Sequence, residues 1–365
     1  MMCKGVVYTA ISGGVDSAVA AALLLEDGYQ VFGIHMETWK APNTMERGSE
    51  YFEDKLFAEN VANALGIPLT SLDLRNEFYE SIIKSFIQQY SNGRTPNPCL
   101  FCNPQIKWGI LQNFALDQGS DFFATGHYAR LERNGSCPVR LLKGRDKSKD
   151  QSYVLCLLSQ TQLQKSLLPL GEMTKEEVRG KALEMDLPVA NREDSQDLCF
   201  LGDLDYRDFL KRYYPLSQDP GEIVTIDGEV VGEHDGLAFF TIGQRKGIRV
   251  AADEPYYVVD KDIGKNRLII GFDEQAGKNY LIASDVNWIS GEPPQTGEMY
   301  AVMVRYRTSP VLAVLSSVTE NYFKLEFKRH LRGITPGQVA AIYQGDACLG
   351  GGVIHATDNR KVSGD

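Results

Sequence analysis

A short run near the start of the chain gathers two hydroxyls, two glycines and a carboxylate where an anion could be held. It comprises Ala10, Ile11, Ser12, Gly13, Gly14, Val15, Asp16 and Ser17. An apolar stretch over 6–10 leads into the Ser-Gly-Gly turn, and a helix-like stretch over 15–25 follows and stops at Asp27-Gly28. A strand, a glycine turn and a helix N-terminus aim backbone N–H groups and a helix dipole at one point, which is the geometry of a phosphate site. The glycines let the backbone come close to an anion, and Ser12 and Ser17 add hydroxyl donors. Asp16 would repel a phosphate unless Mg²⁺ lay between them, so the run reads as a Mg²⁺–nucleotide site. Neither G-x-x-x-x-G-K-[ST] nor G-x-G-x-x-G is present, which argues against a P-loop kinase or GTPase and against a dinucleotide fingerprint.

Three cysteines form the second candidate group. Cys99 and Cys102 lie in the stretch Arg94-Thr-Pro-Asn-Pro-Cys-Leu-Phe-Cys-Asn103, and Cys199 follows Asp194, Ser195, Gln196, Asp197 and Leu198. Pro96 and Pro98 oppose regular helix, so both thiols of the first pair are expected on a loop, ahead of a helix beginning at Pro104. A helix N-terminus would stabilise a thiolate and sharpen its nucleophilicity. Two chemistries suit the set. Two thiols could form a redox pair, one carrying sulfur as a persulfide and the other resolving it as a disulfide. Alternatively C-x-x-C with a distant third cysteine could ligate a metal or an iron–sulfur cluster, although a fourth zinc ligand is not evident. Cys156, within an apolar run, reads as core, and Cys3, Cys137 and Cys348 have no supporting neighbours.

The elements that must position these groups follow from periodicity. The first ~200 residues alternate strands, expected near 5–10, 30–36, 68–73 and 121–125, with helices near 15–26, 50–65, 76–90, 104–118 and 174–185. Such alternation implies an α/β, doubly wound parallel sheet with ligands at the carboxyl ends of its strands. The glycine loop, residues 33–39 and Thr125-Gly126-His127 would then face one crevice. Beyond about residue 205, short alternating runs separated by glycine or Asp-Gly read as hairpins, after a helix over 207–214. The domains are therefore placed at 1–204, 205–278 and 279–365, the last two smaller and β-rich.

With 365 residues, 43% hydrophobic and 24% charged, the chain is long enough for several cores and ordinary for a soluble protein. No stretch approaches the ~18 apolar residues of a membrane span, and residues 1–4 run into the first strand without space for a leader. Seven unevenly spaced cysteines do not form a disulfide framework, so a cytoplasmic setting is expected. The net charge of −10 argues against indiscriminate nucleic-acid binding. Basic clusters over 140–149, 245–249, 305–307 and 328–332 nevertheless point to directed contacts with a polyanion.

The S-G-G-x-D-S pattern resembles the PP-loop of ATP pyrophosphatases. With further segments, the chain resembles the bacterial tRNA-specific 2-thiouridylases of the MnmA type over nearly its whole length. Those segments are Met36 to Trp39, the run Thr95 to Asn103, Ile106-Lys107, the run Ala124 to Arg130, the run Lys149 to Tyr153, Asp194-Ser195, Cys199-Phe200, the run Thr241 to Gly247, the run Val304 to Arg307, the run Pro336 to Gln338 and the run Leu349 to Gly352. The resemblance implies a PP-loop, adenine nucleotide alpha hydrolase-like domain ahead of the two β-rich ones. It also implies ATP-dependent replacement of oxygen by sulfur at carbon 2 of the wobble uridine, position 34. By motif match, residues 10–17, Met36 and Gly126 bind ATP, Cys102 is the nucleophile and Cys199 carries the persulfide. Asn97, Pro98 and Cys99 sit at the target base, and His127, Lys149, Asp150, Gln151, Arg305, Tyr306 and Gln338 touch tRNA. Implied partners are lysine, glutamate and glutamine tRNAs and a persulfide donor such as a cysteine desulfurase or a sulfur-relay protein.

Two departures stand out. Asp197-Leu198 replaces the family's usual Gly-Ile before the second cysteine, and position 99, Cys or Asp in the family, is Cys here. The resulting three-thiol set keeps open an iron–sulfur-dependent thiolase using Cys99, Cys102 and Cys199. Another PP-loop adenylating ligase is the remaining alternative.

Overall fold

The computed structural model describes residues 4–41, 50–135, 137–193, 198–202 and 204–356. Cys3, the segment 194–197 and the last nine residues lie outside the described residues, and with them the Asp194-Ser195 motif and the Asp197 departure.

The expected parallel sheet is present. Its strands are β1 (Val6–Ala10), β2 (Gln30–Glu37), β3 (Leu69–Asp73) and β4 (Phe122–Ala124), in the order β3-β2-β1-β4, with Ser166–Leu167 pairing parallel at the edge. That fifth, two-residue strand has no sequence signal, because two residues cannot show a period. β1 and β2 are buried by the alternation of Val7, Thr9, Val31 and Ile34, and helix α1 (Val15–Glu26) lies on the sheet through its Ala-rich face. Helix α2 (Glu50–Leu65) packs behind β2, with Ala58, Val61 and Ala62 buried.

The cysteine stretch differs from expectation. Pro98 stands at the N-cap and Cys99–Cys102 forms the first helical turn. Proline is compatible with helix initiation, since the first N–H groups have no intrahelical acceptor. The helix continues through a π-helical run, Asn103–Leu111, into Gln112–Asp117. A second helical segment, Arg75–Ser91 by residue number, also has a π turn at Tyr79–Ile83.

The C-terminal half is β-rich as expected. Gly221–Thr225, Val230–His234, Tyr257–Asp262 and Arg267–Gly271 form a four-stranded sheet. Six strands of an eight-stranded sheet close into a barrel because Lys278–Trp288 pairs with both Tyr322–Leu331 and Ala347–Ala356. The other two strands come from far upstream in the chain. Ala129–Glu132 and Arg140–Lys143 form a hairpin whose second strand pairs with Ala347–Ala356 at Leu142↔Ala347 and Leu141↔Cys348. The first and last parts of the chain thus share a sheet.

Candidate functional site

The glycine loop is held from both sides. Ile34 receives the Ile11 N–H at 2.8 Å, and His35 Nδ1 lies 2.9 Å from the Ile11 carbonyl. Ser17 Oγ donates to the Gly14 carbonyl at 2.9 Å and receives the Ser12 N–H at 3.2 Å. Gly13 has φ +81° and lies so close to α2 that a Cβ would stand 2.7 Å from the Asp54 carbonyl oxygen. Only glycine accepts that backbone conformation and that approach without strain. Gly126 is packed against the other flank of the loop, where a Cβ would meet the Asp16 carbonyl carbon at 2.8 Å and the Ser17 nitrogen at 2.9 Å. Met36, half-buried, faces the same end of the sheet from β2. The loop therefore has the cramped, donor-lined form that a polyphosphate requires, and the residues fit ATP.

Asp16 corrects the simplest sequence reading. Its Oδ1 accepts from Tyr128 Oη at 2.7 Å and from Lys175 Nζ at 2.7 Å. The carboxylate thus has a protein cation of its own, and Mg²⁺ arriving with a nucleotide would compete with Lys175 for it. Arg192 donates to the Gly13 carbonyl at 2.7 Å and to Asp54 at 2.6 Å, while Lys40 holds Asp54 from its other side. Burial works to raise the Asp54 carboxyl, but the two cations outweigh it and hold the group below its usual range. Lys175, Tyr128, Arg192 and His35 were not selected from sequence. Only the spacing in the fold unites Lys175 with Asp16, 159 positions away.

The thiols form a second group, linked to His127 through Lys107, whose charge acts on all three. Cys99 and Cys199 are exposed, Cys102 is buried, and all are unbonded. Cys99 and Cys102 belong to the first turn of one helix, and Cys199 is carried by a loop that Phe200 anchors among Phe78, Phe86 and Phe209. The charge of each thiolate is felt within the group: Cys199 acts on Cys102, and Cys99 acts on both. Their surroundings overturn the expectation of a helix-stabilised thiolate. Desolvation pushes the buried Cys102 up to about 12, against a partial lowering by Lys107, and raises Cys199 in the same direction although that residue keeps an exposed surface. Cys99 is raised for the same reason. No group of three or more His, Cys, Asp or Glu side chains converges as a metal-ligand set among the described residues. The three thiols as arranged do not fit an iron–sulfur cluster.

The segment before Cys99 is braced by the other two parts of the chain. Gln338 Nε2 donates to the Thr95 carbonyl at 2.6 Å, the Thr95 N–H donates to Pro336 at 3.0 Å, and Thr95 Oγ1 lies 3.5 Å from Thr241 Oγ1. Asn97 Oδ1 receives the Cys99 N–H at 3.2 Å, and the buried Pro98 carries the turn. Gln338, expected at tRNA, is itself buried and committed to this brace. Asp150 accepts from the Gly144 and Ser152 N–H groups, and Gln151 Oε1 accepts from the Tyr128 N–H at 2.9 Å. Both therefore shape the loop around Lys149. Arg305 is exposed beside Tyr306, which stacks on Tyr153 with ring centroids 6.1 Å apart.

The basic window over 140–149 is partly engaged internally: Arg140 pairs with Glu132, Arg145 with Glu177, and Lys143 lies 4.6 Å from the Tyr343 ring centroid.

His127 is buried, with Nδ1 2.7 Å from Thr125 Oγ1 and Nε2 3.5 Å from Lys107 Nζ. Desolvation and then the Lys107 charge hold its imidazole neutral, well below the usual histidine range. The unfolded chain binds that proton near 6.5, whereas the folded chain resists it, so stability is lost as pH falls below about 6.5. Relative to His127→Gln, the parent should lose up to about 1.4 kcal/mol more per pH unit. Urea unfolding at about pH 7 and about pH 5 measures the difference.

Family models match three consecutive portions. Residues 5–203 match the tRNA methyl transferase HUP domain, 207–272 the tRNA methyl transferase PRC-barrel domain and 278–354 the aminomethyltransferase beta-barrel domain. A tRNA-specific 2-thiouridylase MnmA of Cupriavidus pinatubonensis is 42% identical over 96% of this chain and 98% of its own length. That of Nitrosomonas eutropha is 42% identical over 97% and 99%, and an MnmA 1 of Geobacillus kaustophilus is 41% identical over 97% and 96%.

Proposed function

Since the chain belongs to the family of tRNA-specific 2-thiouridylases, we propose that it installs sulfur at carbon 2 of the wobble uridine of tRNA at the expense of ATP. What supports this reading is a polyphosphate-shaped loop packed against Gly126 together with three thiols that feel the charge of Lys107, which itself reaches the adjacent His127. A methyl-transfer reading, which the label of the HUP model would allow, gives the thiols no task. Another adenylating ligase leaves both the thiols and the barrel that braces them without purpose.

Uracil's 2-oxygen is a poor leaving group, and the adenylyl group of ATP makes it a good one. Ser12, Gly13, Gly14 and Ser17 hold the phosphates, Lys175 and Tyr128 keep Asp16 in place, and Gly126 gives the loop its rear wall. Sulfur then arrives bound to Cys199 as a persulfide. In one route the Cys102 thiolate attacks Sγ of Cys199, the sulfur–sulfur bond breaks, and hydrogen sulfide leaves with the proton while a Cys102–Cys199 disulfide forms. The sulfide adds to carbon 2 and AMP departs. In the other route the Cys102 thiolate adds to carbon 2 as AMP departs, and the terminal sulfur of the Cys199 persulfide displaces Cys102 from that carbon. The freed Cys102 thiolate then attacks Sγ of Cys199, breaking the sulfur–sulfur bond to leave 2-thiouridine and a Cys102–Cys199 disulfide.

Asn97, Pro98 and Cys99 border the base. Unstacking it costs a few kcal/mol, which contacts through Lys149, Arg305 and Tyr306 offset. Gln338, Asp150, Gln151 and His127 act by holding those loops. The substrates are lysine, glutamate and glutamine tRNAs, the donor is a desulfurase or relay protein bearing a persulfide, and Mg²⁺ accompanies the nucleotide. We place the reaction in the cytoplasm; among the described residues no helix is long and apolar enough to cross a membrane.

The test is incubation of the reduced protein with unmodified tRNA, ATP, Mg²⁺ and a persulfide donor, followed by nucleoside analysis. 2-Thiouridine at position 34 with matching AMP release is the expected result, and ATP-independent or absent thiolation overturns the reading.

A further inference from the structure

Lys107 has no task in the scheme above, yet its place in the helix is unusual. It follows Cys102 by five residues, and in an α-helix such positions point roughly 140° apart. Between Asn103 and Leu111 the turns are instead π-helical, closed by the Gln112 N–H on the Lys107 carbonyl. The widened turn bonds residues five apart, so it brings position 107 back toward the face of position 102. Gly109 shows the same widening, for a Cβ there would stand 3.0 Å from the Pro104 carbonyl oxygen five residues earlier. Single π turns of this kind cost helix stability and gather at functional sites.

The side chain is half-buried and ends 3.5 Å from His127 Nε2. An ammonium has only donors, so Nε2 must accept, and the Nδ1 hydrogen then points to Thr125 Oγ1 at 2.7 Å. One of the three ammonium hydrogens is thereby fixed. Cys99, Cys102 and Cys199 all feel the positive charge of Lys107, and Cys199 that of Lys40 as well. Among the described residues, the charged and titratable groups that act on the thiols are each other, Lys107 and Lys40, with neutral His127 behind Lys107.

Resting on the thiouridylase reading, we propose that Lys107 is the charge-balancing and positioning residue of sulfur transfer: braced by His127, its ammonium stabilises the Cys102 and Cys199 thiolates as their protons leave. The π-helical run is the device that places it there. Because Cys102 is buried, its thiolate depends on a compensating cation, and Lys107 supplies a charge that acts on all three thiols.

The test is peptide-resolved alkylation of the reduced full-length protein by iodoacetamide from about pH 7 to about pH 10, with the exposed Cys137 as internal reference. In Lys107→Gln, alkylation of Cys102 and Cys199 should slow about tenfold at a given pH while Cys137 is unchanged. Lys107→Arg should restore the rates to within about threefold. Superimposed profiles for Lys107→Gln and the parent overturn the proposal, as does a parallel change at all three cysteines. The readout needs neither tRNA nor ATP, so its failure is separate from a failure to make 2-thiouridine.

Discussion

Cys199→Ser is expected to lower 2-thiouridine formation by about a thousandfold or more, and Cys102→Ser by a comparable factor. A hydroxyl neither carries sulfane sulfur nor exchanges with a disulfide, so neither route survives the loss of either partner. Adenylation should be spared, because the loop at Ser12 to Ser17 is held by Ile34, His35 and Arg192 rather than by the cysteines. ATP–pyrophosphate exchange in the presence of tRNA therefore separates a lost sulfur step from a misfolded chain. Cys99→Ser sharpens the result. It should retain activity within about threefold if two thiols suffice; complete loss would restore the three-thiol cluster as a serious reading. In the parent, alkylation of Cys102 should rise about tenfold per pH unit through the neutral range, since burial holds this thiol at about 12.

Gly126→Ala carries the second largest expectation. The new methyl would stand 2.8 Å from the Asp16 carbonyl carbon and 2.9 Å from the Ser17 nitrogen. These are backbone atoms of the phosphate loop and cannot swing aside as a side-chain tip could. Relief requires movement of the loop, and displacements of about 1 Å at a phosphate cradle cost on the order of a hundredfold in kcat/KM. The loss should fall on ATP, with KM for ATP rising at least about tenfold and tRNA affinity little altered. ATP should raise the unfolding midpoint of the parent and leave that of the variant nearly unmoved, which distinguishes a damaged cradle from a damaged fold.

How much of this was legible in the sequence depends on the range of each interaction. Local patterns were enough for β1 to β4, α1 and α2, and the hairpins after residue 205, because burial of one face repeats along the chain itself. The S-G-G-x-D-S turn was equally plain, since its chemistry is contained in six consecutive residues. What escaped is non-local. The Lys175 partner of Asp16 and the Gln338 brace on Thr95, 243 positions distant, exist only once the sheet is assembled. The helix start at Cys99 was missed because Pro96 and Pro98 were read as breakers, although Pro98 is an initiator at the N-cap. Thiolate stabilisation was misjudged on similar grounds: the position near a helix start was visible, but the burial that outweighs it was not. Lys107 stood inside a recognised segment with no role, since an α-helical register would turn it away from Cys102.

The hairpin formed by Ala129–Glu132 and Arg140–Lys143 sets a limit on how this protein can be cut. Because Leu141 and Leu142 complete a ladder with Ala347 and Cys348, a fragment ending near residue 204 would carry an orphaned ribbon, and a fragment starting near 279 would leave that short edge of its barrel uncovered. Piecewise production should therefore yield aggregates, whereas two such halves synthesised together could reassemble through that seam.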